Sequence, residues 1–234
     1  MKSLVFDTST IISIATNNLL YILKELKRRF NGQFLISNAV KEEVILTPLK
    51  SKRFKLEAMQ ILSLVAEKII IIHDSLEIRN QANHISNLAN SIFSTNGKSI
   101  KIIQKGEAEA IALSIKFNST LAVDERTTRI LLENPKLLQN LLSSKTHANI
   151  SLNQKVLDKL NFIINKIPII RSTELMVAAY DLNLLNSYLN PKEREIVPIN
   201  LKKSLLDGLL WGLRLRGCAI STYEINEIIK IKEK

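Results

Sequence analysis

Four places in this chain set carboxylates beside hydroxyls or next to an apolar run: Asp7 with Thr8 and Ser9, Glu43, Glu107 with Glu109, and Asp124 with Glu125. Carboxylates gathered in one crevice repel, and each is driven toward its neutral form unless a cation neutralises the set. Hard oxygen ligands of this kind select Mg²⁺ or Mn²⁺ over soft metals, and Mg²⁺ keeps waters that can attack a phosphodiester. Glu107 and Glu109 lie two residues apart on a helical pattern and cannot both face one point closely. At most one of them would bind metal directly, and spacing does not say which. Glu43 lies three residues from Val40 and next to Val44, at the edge of a buried face. Each acid also has a plainer role open to it. Asp7 can cap a helix, Glu107 and Glu109 can complement a helix dipole, and Asp124-Glu125 can sit in a solvated turn. His73, His84 and His147 have no spacing that suggests a zinc site.

The elements that would carry these groups alternate between short apolar runs and helical patterns. Leu4-Val5-Phe6 predicts a strand delivering Asp7-Thr8-Ser9-Thr10 at its carboxyl end. Leu19, Leu20, Ile22, Leu23 and Leu26 recur at helical spacing, stopped by Asn31-Gly32. Phe34-Leu35-Ile36 is the next strand. Ser37 or Asn38 caps a helix through Val40 and Val44 that Thr47-Pro48 breaks. From 51 to 67 a helix offers Leu56, Met59, Leu62 and Val65 for packing, and 68 to 72 is a β-branched run. Residues 75 to 105 are mostly helical, polar and Asn-rich. Gly106 opens a helix from Glu107 to Lys116, then comes the strand Leu121-Ala122-Val123 with Asp124-Glu125-Arg126 at its end. Arg129 to Leu142 is helical apart from Pro135, and 143 to 165 is a polar, basic stretch. A strand at 167 to 170 precedes Ser172-Thr173 and a helix from Glu174 to Leu185. Two amphipathic helices around Arg216-Gly217-Cys218 close the chain, with Gly217 as terminator and Ser221 or Thr222 as cap. This alternation implies an α/β fold: a central, mainly parallel sheet covered on both faces, with function in the crevice at the strands' carboxyl ends.

With 234 residues, 46% of them hydrophobic, and a mean hydropathy of +0.07, the chain can bury an ordinary core without disulfides. Its one cysteine, Cys218, fits a reducing compartment, with burial as a free thiol the simplest role. The start, Met-Lys-Ser-Leu-Val-Phe-Asp, meets an acid at once and does not resemble a signal peptide. The longest apolar run, Leu175 to Tyr180, falls far short of the roughly 20 residues that span a bilayer. A cytoplasmic protein with no membrane contact is expected. The net charge of +11 favours polyanions, nucleic acid first. Lys24, Arg28, Lys52, Arg53 and Arg129 are candidates for tracking an RNA backbone, and Arg126 for supporting a phosphate. Aromatic residues are scarce near these charges, so base stacking is not implied.

The segments L-V-F-D-T-S-T, V-K-E-E-V, K-G-E-A-E-A-I-A-L and L-A-V-D-E-R-T-T-R-I, in that order, resemble the four acidic motifs of PIN domains. The family is a ribonuclease fold that includes many toxins of toxin-antitoxin pairs. The resemblance is closest to the prokaryotic branch with a G-E-A-E-A-I helix and a D-D-R motif. L-R-L-R-G-C-A-I-S is similar to that branch's helix-Gly-helix ending. The likeness covers the chain except a stretch near 135 to 165 and part of 75 to 100. It implies a PIN-like three-layer α/β/α domain over 1–185, with a helical insertion at about 135–165 and a C-terminal helical extension over 186–234. It further implies Asp7 as principal metal ligand, Glu43 as the acid on the second helix, Glu107 or Glu109 as the third and Asp124 or Glu125 as the fourth. Thr8 and Ser9 would orient ligands or waters. The D-D-R motif here is Asp124-Glu125-Arg126, and the longer Glu side chain leaves open which carboxylate takes the usual role. RNA as substrate, an antitoxin or other protein partner, and a homodimer are further implications.

A metal-dependent ribonuclease is thus the first expectation, and a non-catalytic PIN module that binds RNA or a protein partner is the alternative. A phosphatase of the haloacid-dehalogenase type shares the opening Val5-Phe6-Asp7, but that chemistry needs a second Asp two residues after the first, where this chain has Ser9.

Overall fold

Strand-forming runs here are buried on both sides, which is what a sheet sandwiched between helix layers demands. In β1 (Ser3–Phe6) every residue is buried, with Leu4 and Phe6 facing one core and Val5 the other. The same alternation holds in β2 (Gln33–Ser37), where Phe34 and Ile36 join the first core and Leu35 the second. The computed structural model describes residues 2–164, 167–189 and 200–232. Among these, β3 (Ile70–His73) follows β2, then come β4 (Phe93–Thr95), β5 (Lys98–Ser99), β6 (Thr120–Ala122), β7 (Ser151–Leu152) and β8 (Ile169–Ile170). The main sheet runs in the order β3-β2-β1-β6-β8, all neighbours parallel. The fold is therefore α/β with a parallel central sheet between two helical layers. The connections reverse direction between β1 and β6, so a crevice opens beyond the carboxyl ends of those two strands.

One layer holds α1 (Thr8–Thr16), α2 (Leu20–Phe30), α5 (Lys55–Ala66), α11 (Ser172–Asp181), α12 (Leu201–Leu215) and α13 (Thr222–Lys232). The other holds α6 (Leu76–Ala89), α7 (Lys105–Phe117), α8 (Arg126–Glu133), α9 (Pro135–Thr146) and α10 (Gln154–Ile164). Between β2 and α5, α3 (Asn38–Lys41), a π-helical turn at Glu42–Leu46 and α4 (Thr47–Lys50) succeed one another without leaving helical backbone angles. Terminators expected from the sequence sit where left-handed backbone is needed. Asn31 ends α2 at φ 48°, and Gly217 follows α12 at φ 120°.

Four local expectations are corrected. Thr47-Pro48 does not break the helix after β2. Pro48 cannot donate to a carbonyl one turn back, and the Thr47 N–H reaches instead to Glu42 O, so the extra residue is absorbed as a π-turn. In α5 the buried residues are Ala58, Ile61 and Leu64, while Leu56, Met59 and Leu62 face outward. The strand expected at 68 to 72 begins two residues later, because Lys68 at φ 58° closes the preceding helix. The 75 to 105 stretch stops being helical at Ala89. Beyond it β4 and β5 form a hairpin about Asn96-Gly97, both at positive φ. Asn90 anchors that hairpin, its Oδ1 accepting the N–H groups of Ile102 at 2.6 Å and Ile103 at 3.0 Å.

The stretch near 135 to 165 supplies β7, which pairs with β4 in a second, antiparallel sheet of order β5-β4-β7. Its Leu157, Leu160 and Ile164 pack in the same core as Ile78 and Ile85 of α6. Within the proposed extension, residues 190–199 lie outside those described. No helix among the described residues is long and apolar enough to cross a membrane.

Candidate functional site

Asp7 stands where β1 ends and α1 begins, in extended backbone, so it leaves the sheet at the mouth of the crevice. It is 2% exposed. Its Oδ2 accepts the Ser9 N–H at 3.0 Å and the Ser9 hydroxyl at 2.6 Å, while Oδ1 is buried with no hydrogen-bond partner. Burial pushes its pKa up to about 6, against the Ser9 and Thr8 hydrogen bonds that hold it down and with a further rise from the charge of Glu43. Ser9 serves a second purpose: its Oγ accepts the backbone N–H of Asp124 at 3.0 Å and of Glu125 at 3.2 Å. The end of β1 is thereby fastened to the end of β6.

Glu43 comes from the π-turn. Its Oε2 accepts the Thr8 hydroxyl at 2.5 Å, which holds the carboxylate toward Asp7. On its other side lies the first turn of α7. A Cβ added to Gly106 would meet both Glu43 carboxylate oxygens at 2.8 Å, so glycine at this position is what admits the carboxylate. Glu107 follows. It closes a capping box with Gln104, whose N–H donates to Oε2 at 2.6 Å. Burial raises its pKa to about 7; the Gln104 bond opposes that rise, and the charges of Asp7 and Glu125 add to it. Glu125, the last of the group, caps α8 by accepting the Thr128 N–H at 2.6 Å. The charge of Glu43 thus acts on Asp7, and those of Asp7 and Glu125 on Glu107, which links acids from four segments.

The two remaining acids are committed elsewhere. Glu109, 1% exposed, accepts the Ala39 N–H at 2.8 Å and so satisfies an orphan donor at the start of α3. Asp124 is fully buried. Its Oδ1 accepts the Ser172 N–H at 2.7 Å and the Thr10 hydroxyl at 3.5 Å, and its Oδ2 accepts the Ser172 hydroxyl at 2.6 Å. It clamps the first turn of α11 to the sheet. Sequence reasoning placed Ser172 only ahead of a helix, and a hydroxyl one residue after a strand, at a helix start, is the signal for this partner.

Arg126 is exposed beside Glu125, and Arg129 bonds Ala219 O at 3.3 Å and approaches Glu133 at 3.7 Å. Of the other basic candidates, Lys24 pairs with Glu67 and Arg28 with Glu25, each at 2.7 Å. Lys52 and Arg53 lie on an exposed bend, with Arg53 over the Phe54 ring. Cys218 is buried and its thiol is pushed up to about 12, chiefly by burial and next by Asp124, so it is no nucleophile at neutral pH.

Among the described residues, no three His, Cys, Asp or Glu side chains are gathered tightly enough to hold a metal ion as they stand. The donor set nonetheless suits a hard cation. It is all oxygen, and one of its members is a buried carboxylate oxygen with no partner.

No family model matches this chain, and no curated protein does. Among solved structures it is similar to a chain of VapBC2 from Rickettsia felis, crystallised bound to a DNA fragment from their promoter, at 16% identity and a TM-score of 0.40. The match covers 53% of this chain and 88% of that one. A likeness of that extent fixes neither family nor activity, so function is argued from the crevice.

Proposed function

We propose that this chain is a metal-dependent ribonuclease of the PIN type, with Asp7, Glu43, Glu107 and Glu125 as the residues that hold Mg²⁺ or Mn²⁺. One observation carries the reading: Asp7 has a buried, unpartnered oxygen, and acids from other segments add their charges to it and to Glu107. When bound, the cation supplies a water of lowered pKa and neutralises charge on the phosphate. The chain's own contribution is preorganisation. Thr8 turns Glu43 inward, Ser9 holds Asp7 and the β6 end together, and Gln104 and Thr128 fix Glu107 and Glu125 through backbone N–H groups. Arg126 is placed to meet a phosphate beside Glu125. A single-stranded RNA substrate accords with the net charge of +11.

We take 1–185 as the catalytic unit and 186–234 as an extension packed on it, which accords with Leu210, Leu213 and Ile225 sharing a core with Ile11 and Ile14. A place as the toxin of a toxin-antitoxin pair, with an antitoxin bound near the crevice, and a homodimer belong to the same reading. The second reading is a non-catalytic module binding RNA or a protein. It is favoured by Asp124 being wholly engaged by Ser172, which leaves the fourth position to a Glu that already caps a helix.

The test is cleavage of labelled single-stranded RNA by purified protein with Mn²⁺, with EDTA, and with Asp7→Asn or Glu125→Gln. Cleavage confined to the unaltered protein with Mn²⁺ supports the nuclease. No cleavage in any arm, or equal cleavage in all, removes it.

A further inference from the structure

Next to Glu125 in the chain, α8, the end of α12 and the turn into α13 line a cavity of about 320 Å³. Arg126, Arg129 and Arg214 line it with Ala219, Ile220, Ser221 and Glu224. Three guanidinium groups at one small cavity need counter-charge, and the chain provides little. Glu224 is the carboxylate on the wall, and it is already held by the Arg171 guanidinium at 2.8 Å and by the Ser221 N–H and hydroxyl at 2.8 and 2.7 Å. Arg129 approaches Glu133 only at 3.7 Å, and its Nε is buried with no acceptor. Arg214 bonds the Thr222 hydroxyl and lies over the Trp211 ring, its carbon 4.9 Å from the ring centre. Among the described residues neither Arg126 nor Arg214 pairs with a carboxylate.

The cavity is also rigidly tied to the acids. Arg126 directly follows Glu125, the Ala219 N–H donates to Asp124 O at 3.3 Å, and Arg129 and Arg171 both donate to Ala219 O. The arginine cluster cannot move far from the crevice without breaking the β6 end.

We propose that this cavity is a subsite for a backbone phosphate of single-stranded RNA, flanking the phosphate held at the acids. The proposal rests on the nuclease reading for the neighbouring phosphate at the acids but not for the binding itself. Arg forks match phosphate oxygens in pairs, and the Arg129 Nε at this cluster is a buried donor with no acceptor from the chain. The helical extension is therefore part of the substrate surface, since Arg214 and Ser221 come from it.

The experiment measures binding of a fluorescein-labelled oligouridylate by anisotropy, in EDTA so that no cleavage intervenes, over a series of KCl concentrations. Arg126→Gln with Arg214→Gln is compared with Lys155→Gln and Lys159→Gln, exposed charges on α10. The pocket pair is expected to weaken binding about tenfold and to lower the slope of log affinity against log salt by about 0.7, the value for one phosphate contact on a single strand. The α10 pair is expected to change the slope by less than half as much. Equal effects of the two pairs, or an unaltered slope, would overturn the subsite. So would a pocket pair that binds RNA normally but no longer binds a labelled oligoglutamate, which would assign the cavity to an acidic peptide. Arg126→Gln alone, at an exposed side chain, should give half the slope change and covers the case in which the double variant melts early. If Asp7→Asn cleaves like the unaltered protein while the slope falls as stated, the nuclease reading fails and the phosphate subsite stands.

Discussion

Asp7→Asn removes one negative charge from the crevice and leaves an oxygen to cap α1, since Asn and Asp are equally good N-caps. What changes is the cost of ionisation. With its pKa lifted from 3.8 to about 6, chiefly by burial, the charged Asp7 side chain disfavours the folded state at pH 7 by about 3 kcal/mol. The Asn amide offsets part of this by leaving an unpartnered N–H₂ where Oδ1 was, at about 1 to 2 kcal/mol. The metal-free variant should therefore be more stable than the parent by about 1 to 2 kcal/mol at pH 7, raising Tm by roughly 2 to 8 °C for a chain of this length. The pH dependence has a definite sign. The folded parent takes up a proton near pH 6 that the unfolded chain takes up only near 4, so the parent gains stability as pH falls through that interval, and the variant's advantage should vanish by pH 4. Thermal melts of both proteins in EDTA from pH 7.5 to 4, followed by circular dichroism, measure this. Adding Mn²⁺ at about 100 times its Kd should stabilise the parent by about 2.7 kcal/mol and leave the variant nearly unchanged. A variant less stable than the parent at pH 7, by an amount that does not vary with pH, would show that Asp7 is a structural cap and that the reasoning is wrong.

Gly106→Ala should keep or slightly raise Tm, because Ala favours a helix by up to about 1 kcal/mol over Gly and the group it displaces is the far end of the flexible Glu43 side chain. RNA cleavage by the same variant should fall by about tenfold or more, and normal cleavage would show that Glu43 does not contribute. Asp124→Ala should cost about 3 kcal/mol in urea denaturation, since it strands the Ser172 N–H and hydroxyl in the core; a loss below about 1 kcal/mol would mean the clamp is dispensable. Arg171→Met should flatten the acid limb of the stability curve. Glu224, held down to about 2 by Ser221 and Arg171 against a burial effect of opposite sign, stabilises the fold above about pH 4.5 and loses that contribution as pH falls toward 2. An unaltered acid limb in the Met variant would dissociate Arg171 from acid stability.

Much of the frame was legible because its signals are local. Leu4-Val5-Phe6 and Leu121-Ala122-Val123 are short apolar runs that stop at acids, and a parallel sheet buried on both faces needs such runs. Asn31 and Gly217 stop helices by backbone sterics that any context preserves. The acids were harder to sort. Which of Glu107 and Glu109 faces the crevice depends on which orphan N–H groups lie nearby, and those of Gln104 and Ala39 belong to different segments. The same holds for Asp124 and Glu125, where Ser172, distant in sequence, engages one and so leaves the other. In α5 the exposed apolar residues Leu56, Met59 and Leu62 repeat with the same period as the buried Ala58, Ile61 and Leu64, so periodicity alone could not choose the face. The hairpin about Asn96-Gly97 carried a recognisable two-residue turn signal, masked by helix-like flanks and strands too short to announce themselves.

Ser9 settles one matter that charge alone leaves open. Its oxygen receives two main-chain donors, which occupies both lone pairs, so its own hydrogen has to point at Oδ2 of Asp7. Oδ2 also takes the Ser9 amide and has little capacity left. Any proton that Asp7 acquires, or any cation that displaces it, must arrive on Oδ1. A single hydroxyl rotor thus makes the two carboxylate oxygens inequivalent, and it decides from behind which one is presented to whatever enters.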